Sequence, residues 1–242
     1  MTKKLAPSEP TPAGLSARAA EERRQAILDV AEALFAENGI AGTSVRSILA
    51  TAGANVAAVH YHFGSKEGLI AAIFHHRLPQ LISERRLLTA RCDPDDLRSR
   101  FEAQFLPVLN LAEAPDNHYV SFVEQVQRRA MTSGPRQPRL PELPDEGQKS
   151  HDEFQRDLDR LLAHLDEPLR AMRIAAGEVL CLHDAADRDR AVGAGADLAP
   201  FELFVSSLFD GITGFLAAPA SAATLRWLDR AGDVSEQRLR LL

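Results

Sequence analysis

Residues 43–69, TSVRSILATAGANVAAVHYHFGSKEGL, constrain the fold more than any other part of this chain. The apolar positions of a first short helix share one face; they are Val45, Ile48 and Leu49. Thr43 or Ser44 can cap the start of that helix. Gly53 can adopt a positive φ and end the helix in a tight turn. The pattern predicts the first half of a helix-turn-helix element.

The second half of this element is a short helix that Asn55 can cap and Gly64 can end. The spacing turns Ala54, Val59 and Phe63 inward, and the outward positions are Val56, Ala57, Ala58, His60 and Tyr61. Such a helix places its N-terminal turn in the DNA major groove, so the element predicts sequence-specific DNA binding. Its three small apolar side chains offer no hydrogen bonds to bases. Thymine methyl groups, groove shape and His60 would therefore carry the specificity.

A third and longer helix is predicted to begin after Ser65, which can cap it. Lys66 and Glu67 lie in its first turn. The free backbone N–H groups of a helix N-terminus attract phosphate, and Lys66 adds a positive charge there. This turn is therefore a candidate contact with the DNA backbone.

Three segments resemble the DNA-binding region of the TetR (tetracycline-repressor-like) family of transcription factors; they are AILDVAEALFAENG at 26–39, TSVRSILATAG at 43–53 and VHYHFGSKEGL at 59–69. The run YHFGSKEGL is highly specific for that family, and the resemblance covers about residues 20–75. It implies phosphate contacts by Thr43, Tyr61, His62 and Lys66, and an approach of residues 55–60 to base edges. The full set of candidate DNA-binding residues is Thr43, Ser44, Arg46, Asn55, Val56, Ala57, Ala58, His60, Tyr61, His62 and Lys66.

The charge distribution agrees with a DNA contact near the N-terminus, although the net charge is −6. Residues 1–90 carry 10 basic and 8 acidic side chains, whereas the remaining residues carry 18 and 26. The acidic part is thus the part not expected to touch DNA.

The sequence carries no motif for catalysis or for a cofactor. His60 and His62 are two residues apart on a helix and do not face each other, which favours DNA contact over a shared metal ion. No G-x-S-x-G motif, P-loop or H-E-x-x-H motif is present. We therefore expect no enzyme activity, no cofactor and no metal.

The compartment is predicted to be the cytoplasm. No apolar run approaches the ~20 residues that a membrane span needs, and residues 1–15 contain no apolar signal core. We expect no membrane partner. Cys92 and Cys181 are far apart in the sequence; they are either ordinary buried or partly buried thiols or a redox sensor.

Three regions are expected: a disordered arm at 1–16, a helix-turn-helix domain at 17–66, and an all-helical regulatory and dimerisation domain at 67–242. The arm is either a passive tail or brushes a minor groove with its lysines. Apolar spacing predicts helices over about 17–38, 66–90, 94–114, 117–131, 150–165, 168–187, 197–217 and 221–231, with loops at 133–148 and 188–196. Pro79 should kink its helix or mark a boundary. No segment alternates with period two, so the fold class is all-α.

The predicted helix at 197–217 is apolar almost all the way round, so it must be buried on several sides. It is either the core helix of a monomer or a subunit-interface helix, and Gly211 and Gly214 would let another helix approach closely. The resemblance implies a homodimer with a four-helix interface from the last two long helices of each subunit. The candidate interface residues are Met172, Val179, Phe201, Val205, Leu208, Phe209, Ile212 and Phe215.

The resemblance also implies a repressor that a small molecule releases from a palindromic double-stranded DNA operator. Its pocket would lie between the helix that begins after Ser65 and the body. The candidate lining residues are Phe74, Leu78, Phe101, Phe105, Phe122 and Val126, and they favour an apolar or acyl-type effector. The alternative is a DNA-binding regulator without small-molecule input, either architectural or controlled by a protein partner.

Overall fold

The part of the chain that the structure describes, a computed structural model, covers residues 12–54, 63–114, 117–132 and 145–239. In chain order its helices are α1 (Pro12–Gly42), α2 (Val45–Thr51), α3 (Lys66–Thr89), α4 (Leu97–Leu111), α5 (Tyr119–Thr132), α6 (Asp145–Leu161), α7 (Glu167–Gly193), α8 (Phe201–Ala217) and α9 (Ala222–Leu239). These residues contain no strand, which confirms the all-α fold class that the apolar spacing predicts.

Four helices begin three to five residues from their predicted starts: α1, α4, α6 and α8. α1 already begins at Pro12, so residues 12–16, expected in the arm, are helical. Proline suits the first turn of a helix because its missing N–H is not needed there. α4 begins at Leu97 because Asp96 caps it, accepting the backbone N–H of Ser99 at 2.8 Å. The start signal at Asp93-Pro94 was therefore placed too early.

Two predicted loops are shorter than expected. Residues 145–148 belong to α6 and residues 188–193 belong to α7. Arg188 explains the longer α7, because its buried side chain pairs with Glu113 and lies over the ring of Phe204 at 4.8 Å. These contacts hold a turn that the nearby Gly and Ala residues had indicated as a loop.

The N-terminal head, formed by α1, α2 and the first turns of α3, packs against α5. The rings of Phe35 in α1 and Phe122 in α5 are 6.0 Å apart. Gly39 adopts a φ of 72° and breaks the helical path of α1, as predicted for a stop at this position. A Cβ at Gly39 would lie 3.4 Å from the side chain of Gln125, so the head and the body are in close contact here.

In the body, α8 packs against α4 and α7. Phe209 of α8 is fully buried and lies edge-on to Phe101 of α4 at 6.0 Å. Gly177 lets α7 approach α8 closely, because a Cβ there would lie 3.2 Å from Leu216 and 3.3 Å from Ile212. One side of α8 is therefore used inside its own chain.

Pro79 lies on the exposed side of α3, and the helix continues past it to Thr89. Of the two predicted effects of Pro79, the boundary is therefore wrong, and the kink stays a prediction. A solvent-facing position suits proline, since water can hydrogen-bond the carbonyl that loses its helical partner.

The cysteines agree with the prediction of partly buried and buried thiols. Cys92 is half-buried and Cys181 is buried. Burial raises the pKa of the Cys181 thiol.

No single helix of the described chain is long and apolar enough to cross a membrane. The bent pair of α8 with Ala222–Arg230, at 54° to each other, passes that test of length and composition together.

Candidate nucleic-acid interface and ligand cavity

α2 is the first helix of the helix-turn-helix element, and hydrogen bonds fix both of its ends. At its start, the Ser44 hydroxyl accepts the backbone N–H of Ser47, and the Ser47 hydroxyl accepts that of Ser44. This reciprocal pair is a capping box. At its end, Gly53 has a φ of 61° and the N–H of Ala54 donates to the Leu49 carbonyl at 3.0 Å. The predicted Ser44 cap and glycine turn are confirmed.

The start of α3 is fixed by three residues of the run FGSKEG. Gly64 adopts a φ of 70°, and the Ser65 hydroxyl accepts the N–H of Gly68 at 3.0 Å. A Cβ at Gly68 would lie 2.0 Å from the carbonyl oxygen of Phe63, so only glycine fits there. The sequence predicts the roles of Gly64 and Ser65. It did not reveal the close approach at Gly68.

Lys66 joins the end of α1 to the start of α3. Its ammonium donates to the carbonyl oxygens of Ile40 and of Thr43, the latter at 2.6 Å, and lies 5.7 Å from the centre of the Phe35 ring. Burial lowers the pKa of Lys66, and the nearby Arg129 lowers it further. An ammonium has three N–H donors, so one remains beyond these two carbonyls.

Of the other candidate DNA-binding residues, Thr43 lies in an unexpected environment. It is only 3% exposed, and its hydroxyl donates to the carbonyl oxygens of Leu34 and Gly39, both at 2.9 Å. Because it faces α1, this hydroxyl is not free for the phosphate contact that the resemblance implies.

Ser44 and Arg46 are exposed at the start of α2, and Arg46 has no hydrogen-bond or ion-pair partner among the described residues. The remaining candidates lie outside the described residues: Asn55, Val56, Ala57, Ala58, His60, Tyr61 and His62. Their predicted base and phosphate contacts stay predictions.

A cavity of about 180 Å³ lies among α3, α4, α5, α6 and α7. Its apolar lining consists of Phe74, Leu78, Leu81, Phe105, Val108, Val123 and Leu182. Its polar lining consists of Arg85, Gln104, Tyr119, Gln127, His151 and Glu178, and Gly147 completes the wall. A mainly apolar cavity with a few polar groups has the character of a small-molecule site.

Half of the predicted pocket residues line this cavity: Phe74, Leu78 and Phe105. Phe101, Phe122 and Val126 instead belong to the packed core. Phe101 and Phe122 are occupied by neighbouring rings, because Phe101 stacks on Phe105 at 4.6 Å and Phe122 lies between Phe35 and Phe74.

The polar lining residues were not predicted. A signal for Arg85 exists, since it lies four residues after Leu81 and seven after Leu78 and so shares their helix face. This spacing places a cation on the face of α3 that carries the predicted pocket residue Leu78.

The charges of the cavity are unevenly balanced. The Nε of Arg85 donates to the Gln104 carbonyl at 2.9 Å, and burial lowers the pKa of Arg85. Burial raises the pKa of Glu178 to about 7, although a hydrogen bond from Gln155 opposes this shift. Burial also lowers the pKa of His151. Among the described lining residues, Arg85 is therefore the one that carries a full positive charge near neutral pH.

A series of aromatic rings connects the cavity with the head. Phe74 and Tyr119, which line the cavity, have ring centres 6.1 Å apart. Phe74 lies 5.3 Å from Phe122, which in turn lies 6.0 Å from Phe35 in α1. The packing is thus continuous from the cavity to the residue beneath Lys66.

An ion pair also ties the head to α3. Arg77 of α3 donates to the carboxylate of Glu32 in α1 at 3.1 Å. Glu32 is only 5% exposed. Loss of Arg77 would leave the buried carboxylate of Glu32 unpaired, so the ion pair stabilises the contact between α1 and α3.

The outer face of α7 and α8 carries exposed apolar side chains and a groove of about 500 Å³. Met172 is 68% exposed, Leu203 60% and Phe215 44%. A Cβ at Gly211 or Gly214 would meet no atom within 4 Å in this chain. This outer face is open to a partner.

Four of the predicted interface residues, Val205, Leu208, Phe209 and Ile212, are buried within this chain, because one side of α8 packs on α4 and α7. Leu208 and Ile212 also line the groove on the outer face, and the contact of these four residues with a partner stays a prediction. Phe201 and Val179 are half-buried. Met172 and Phe215 are the predicted interface residues that lie on the open side.

Comparison with known proteins identifies the helix-turn-helix region. Residues 27–73 match the family model described as bacterial regulatory proteins, tetR family. The chain is 38% identical over 68 residues to the HTH-type transcriptional repressor KstR2 of Rhodococcus jostii, a match that covers 28% of this chain and 33% of the relative. It is 31% identical over 117 residues to KstR2 of Mycobacterium tuberculosis, covering 47% of this chain and 55% of the relative.

These relatives are thus matched over about a third to about half of their own lengths. Their names are those of repressors of transcription, not of enzymes. A solved structure of a Mesorhizobium loti protein assigned to the TetR family aligns over 82% of this chain and 96% of its own, with 15% identity and a TM-score of 0.39. The N-terminal region of the chain is therefore similar to that of bacterial regulatory proteins of the tetR family over residues 27–73.

Proposed function

We propose that the protein is a sequence-specific DNA-binding repressor of transcription that a small molecule releases from its operator. The main support for this proposal is the path of α3. This helix begins at the helix-turn-helix element and lines the cavity with Phe74 and Leu78. The family match over residues 27–73 supports the DNA-binding half of the proposal. The partly polar cavity supports the ligand half.

In this proposal the DNA contacts come from residues 55–62 and from the exposed start of α2. Arg46 and the third donor of Lys66 bind phosphates, which fixes position without reading sequence. Val56, Ala57 and Ala58 touch thymine methyls, and His60 supplies the nearest polar contact to a base.

The protein binds its operator as a homodimer through the outer face of α7 and α8. Two recognition helices then reach adjacent major grooves about 34–36 Å apart, which requires a palindromic operator. The effector favours a spacing of the two heads that does not fit this operator, and binding of one ligand therefore weakens binding of the other.

The first test is a binding-site selection from random double-stranded DNA. We expect palindromes whose half-sites lie about 10 base pairs apart or a multiple of that. Replacing a contacted thymine by uracil removes only its methyl group and should weaken binding. A pool with no enriched sequence would contradict the DNA-binding proposal.

The ligand half is tested with two tryptophan variants. Val123→Trp fills the cavity from α5, whereas Leu87→Trp adds the same side chain on the exposed side of α3. Compounds that raise the unfolding temperature should release the operator from wild type and Leu87→Trp but not from Val123→Trp. Equal release from all three would contradict the cavity as the effector site. A complete lack of stabilising compounds would favour a regulator without small-molecule input.

A further inference from the structure

We propose that the cavity takes a monocarboxylic acid with an apolar body, whose carboxylate pairs with the guanidinium of Arg85. This inference rests on the proposed function, in which the same cavity binds the effector. It adds the chemical class of that effector.

Arg85 carries an unpaired charge. Its Nε donates to the Gln104 carbonyl, and within the described residues its guanidinium forms no ion pair and no other hydrogen bond. Arg85 is half-buried, and a guanidinium partly shielded from water at a cavity wall without an anion gains from a bound anion. The planar fork of arginine matches the two oxygens of a carboxylate.

The groups around Arg85 add no full charge. Burial raises the pKa of Tyr119 and lowers that of His151, so both are uncharged near pH 7, and burial raises the pKa of Glu178 to about 7, so its carboxyl is partly protonated there. The full charge of Arg85 balances a single negative charge. A carboxylate carries that charge, whereas a phosphate monoester carries up to two.

Three polar side chains of the cavity wall have hydrogen-bonding groups that a ligand can use. The hydroxyl of Tyr119, the amide of Gln127 and the ring of His151 line the cavity without a hydrogen-bond partner elsewhere in the described chain. Polar groups at such a site require partners. The second oxygen of a carboxylate can accept from these donors.

The cavity-facing side of α3 changes from apolar to cationic along the helix. Its residues there are Phe74, Leu78 and Leu81, which are apolar and span about two turns, and then Arg85 one turn later. Eleven residues of helix span about 16 Å. The ligand is therefore elongated, with an apolar body towards Phe74 and its carboxylate at Arg85.

The test compares acids with uncharged analogues of the same size. The probes are octanoate and 4-phenylbutanoate, each with its primary amide, and the readout is the dissociation constant from calorimetry. We expect each acid to bind wild type about tenfold more tightly than its amide, since a charge-assisted pair is lost in the amide. Arg85→Gln should bring this ratio close to one.

Arg86→Gln is the matched control, because Arg86 is the next residue of α3 and is exposed, with a distant surface pair to Glu146 at 3.8 Å. It should keep the wild-type preference for acids. Failure of wild type to bind either acid, equal binding of acid and amide, or an acid preference that survives in Arg85→Gln would each overturn the inference.

A measurement without ligand addresses folding. Arg85→Met replaces the unpaired cation by an apolar side chain of similar length, and it should unfold at the same or a higher temperature than wild type. A decrease of several degrees would show that Arg85 serves the fold and would overturn the inference.

The outcome is separable from that of the proposed function. Acids that bind through Arg85 but leave the operator bound would support this inference and contradict effector control. Uncharged compounds that release the operator equally from wild type and Arg85→Gln would support effector control and overturn this inference.

Discussion

Lys66 and Arg85 are two half-buried cations of α3 that have different partners in the fold. The backbone carbonyls of Ile40, near the end of α1, and of Thr43, just after it, accept hydrogen bonds from the ammonium of Lys66. The guanidinium of Arg85 donates to one carbonyl, that of Gln104, and forms no ion pair among the described residues. The first cation thus serves the fold, whereas the second is available to a ligand.

Glu178 gives the cavity a pH dependence that can be measured as stability. Its pKa is raised from 4.5 to about 7 in the fold, because burial disfavours the carboxylate. The folded protein then holds this proton more tightly than the unfolded chain. The contribution to stability is full below about pH 4.5 and is lost as the pH rises through about 7.

We therefore expect the difference in unfolding free energy between Glu178→Gln and wild type to change in favour of the variant as the pH rises from 5 to 8. The expected change is on the order of 2 kcal/mol. Urea unfolding at both pH values measures this difference. Glu153→Gln, an exposed change on α6, is the control and should show no such trend. A parallel pH dependence of wild type and Glu178→Gln would contradict the raised pKa.

At the scale of elements, we expect Lys66 both to hold the junction of α1 and α3 and to bind phosphate, and one substitution with two readouts tests both roles. Lys66→Met keeps the carbon stem but removes the donors to Ile40 and Thr43. We expect a loss of about 1–2 kcal/mol in unfolding free energy. We also expect weaker binding to every DNA sequence alike, with a salt slope smaller by about one.

Lys149→Met on the exposed side of α6 is the control for this experiment, and it should leave the salt slope unchanged. Thermal unfolding and titration of operator and random DNA at several salt concentrations provide the two readouts. A loss of affinity confined to one base position would show that Lys66 reads sequence.

The elements themselves were largely predictable, because local chemistry determines them. The Ser44 cap, the Gly53 turn and the Ser65 cap depend on residues within a few positions of each other, and the structure confirms all three. Helix ends that depend on distant partners were missed. The last turns of α7 are an example, since Arg188 there pairs with Glu113 of another segment.

The candidate site was predictable in composition but not in arrangement. Apolar spacing selects Phe74, Phe105 and Phe122 alike, yet only packing between helices decides which rings face a cavity and which face each other. The same holds for α8, where an all-round apolar sequence does not indicate which side meets its own chain. Phe209 and Phe215 carry the same side chain and lie on opposite sides.

At the scale of the whole molecule, the proposed dimer interface on the outer face of α7 and α8 can be tested by one pair of substitutions. Gly211 lies in the open groove, whereas Gly193 lies at the end of α7, and neither would bring a Cβ near another atom of the chain. We expect wild type to sediment as a dimer at micromolar concentration. Gly211→Arg should give monomers with much weaker operator binding, because the charge would be buried between subunits.

Gly193→Arg is the matched control and should remain dimeric with normal operator affinity. A monomeric wild type, or a Gly211→Arg variant that still forms dimers, would contradict an interface on this face. Equal thermal stability of the two variants would show that the change concerns association and not folding.

The continuous ring packing has a consequence for how such a regulator can diverge. Phe74 touches both the cavity and Phe122, which supports Phe35 in the head. A substitution at Phe74 that alters ligand preference would therefore also alter the packing of Phe122 and Phe35, which supports the helix-turn-helix element. His151 of α6 and Leu182 of α7 line the cavity from other helices and belong to no such ring contact in the described chain. New ligand preferences can arise on that wall while the affinity for the operator is inherited unchanged.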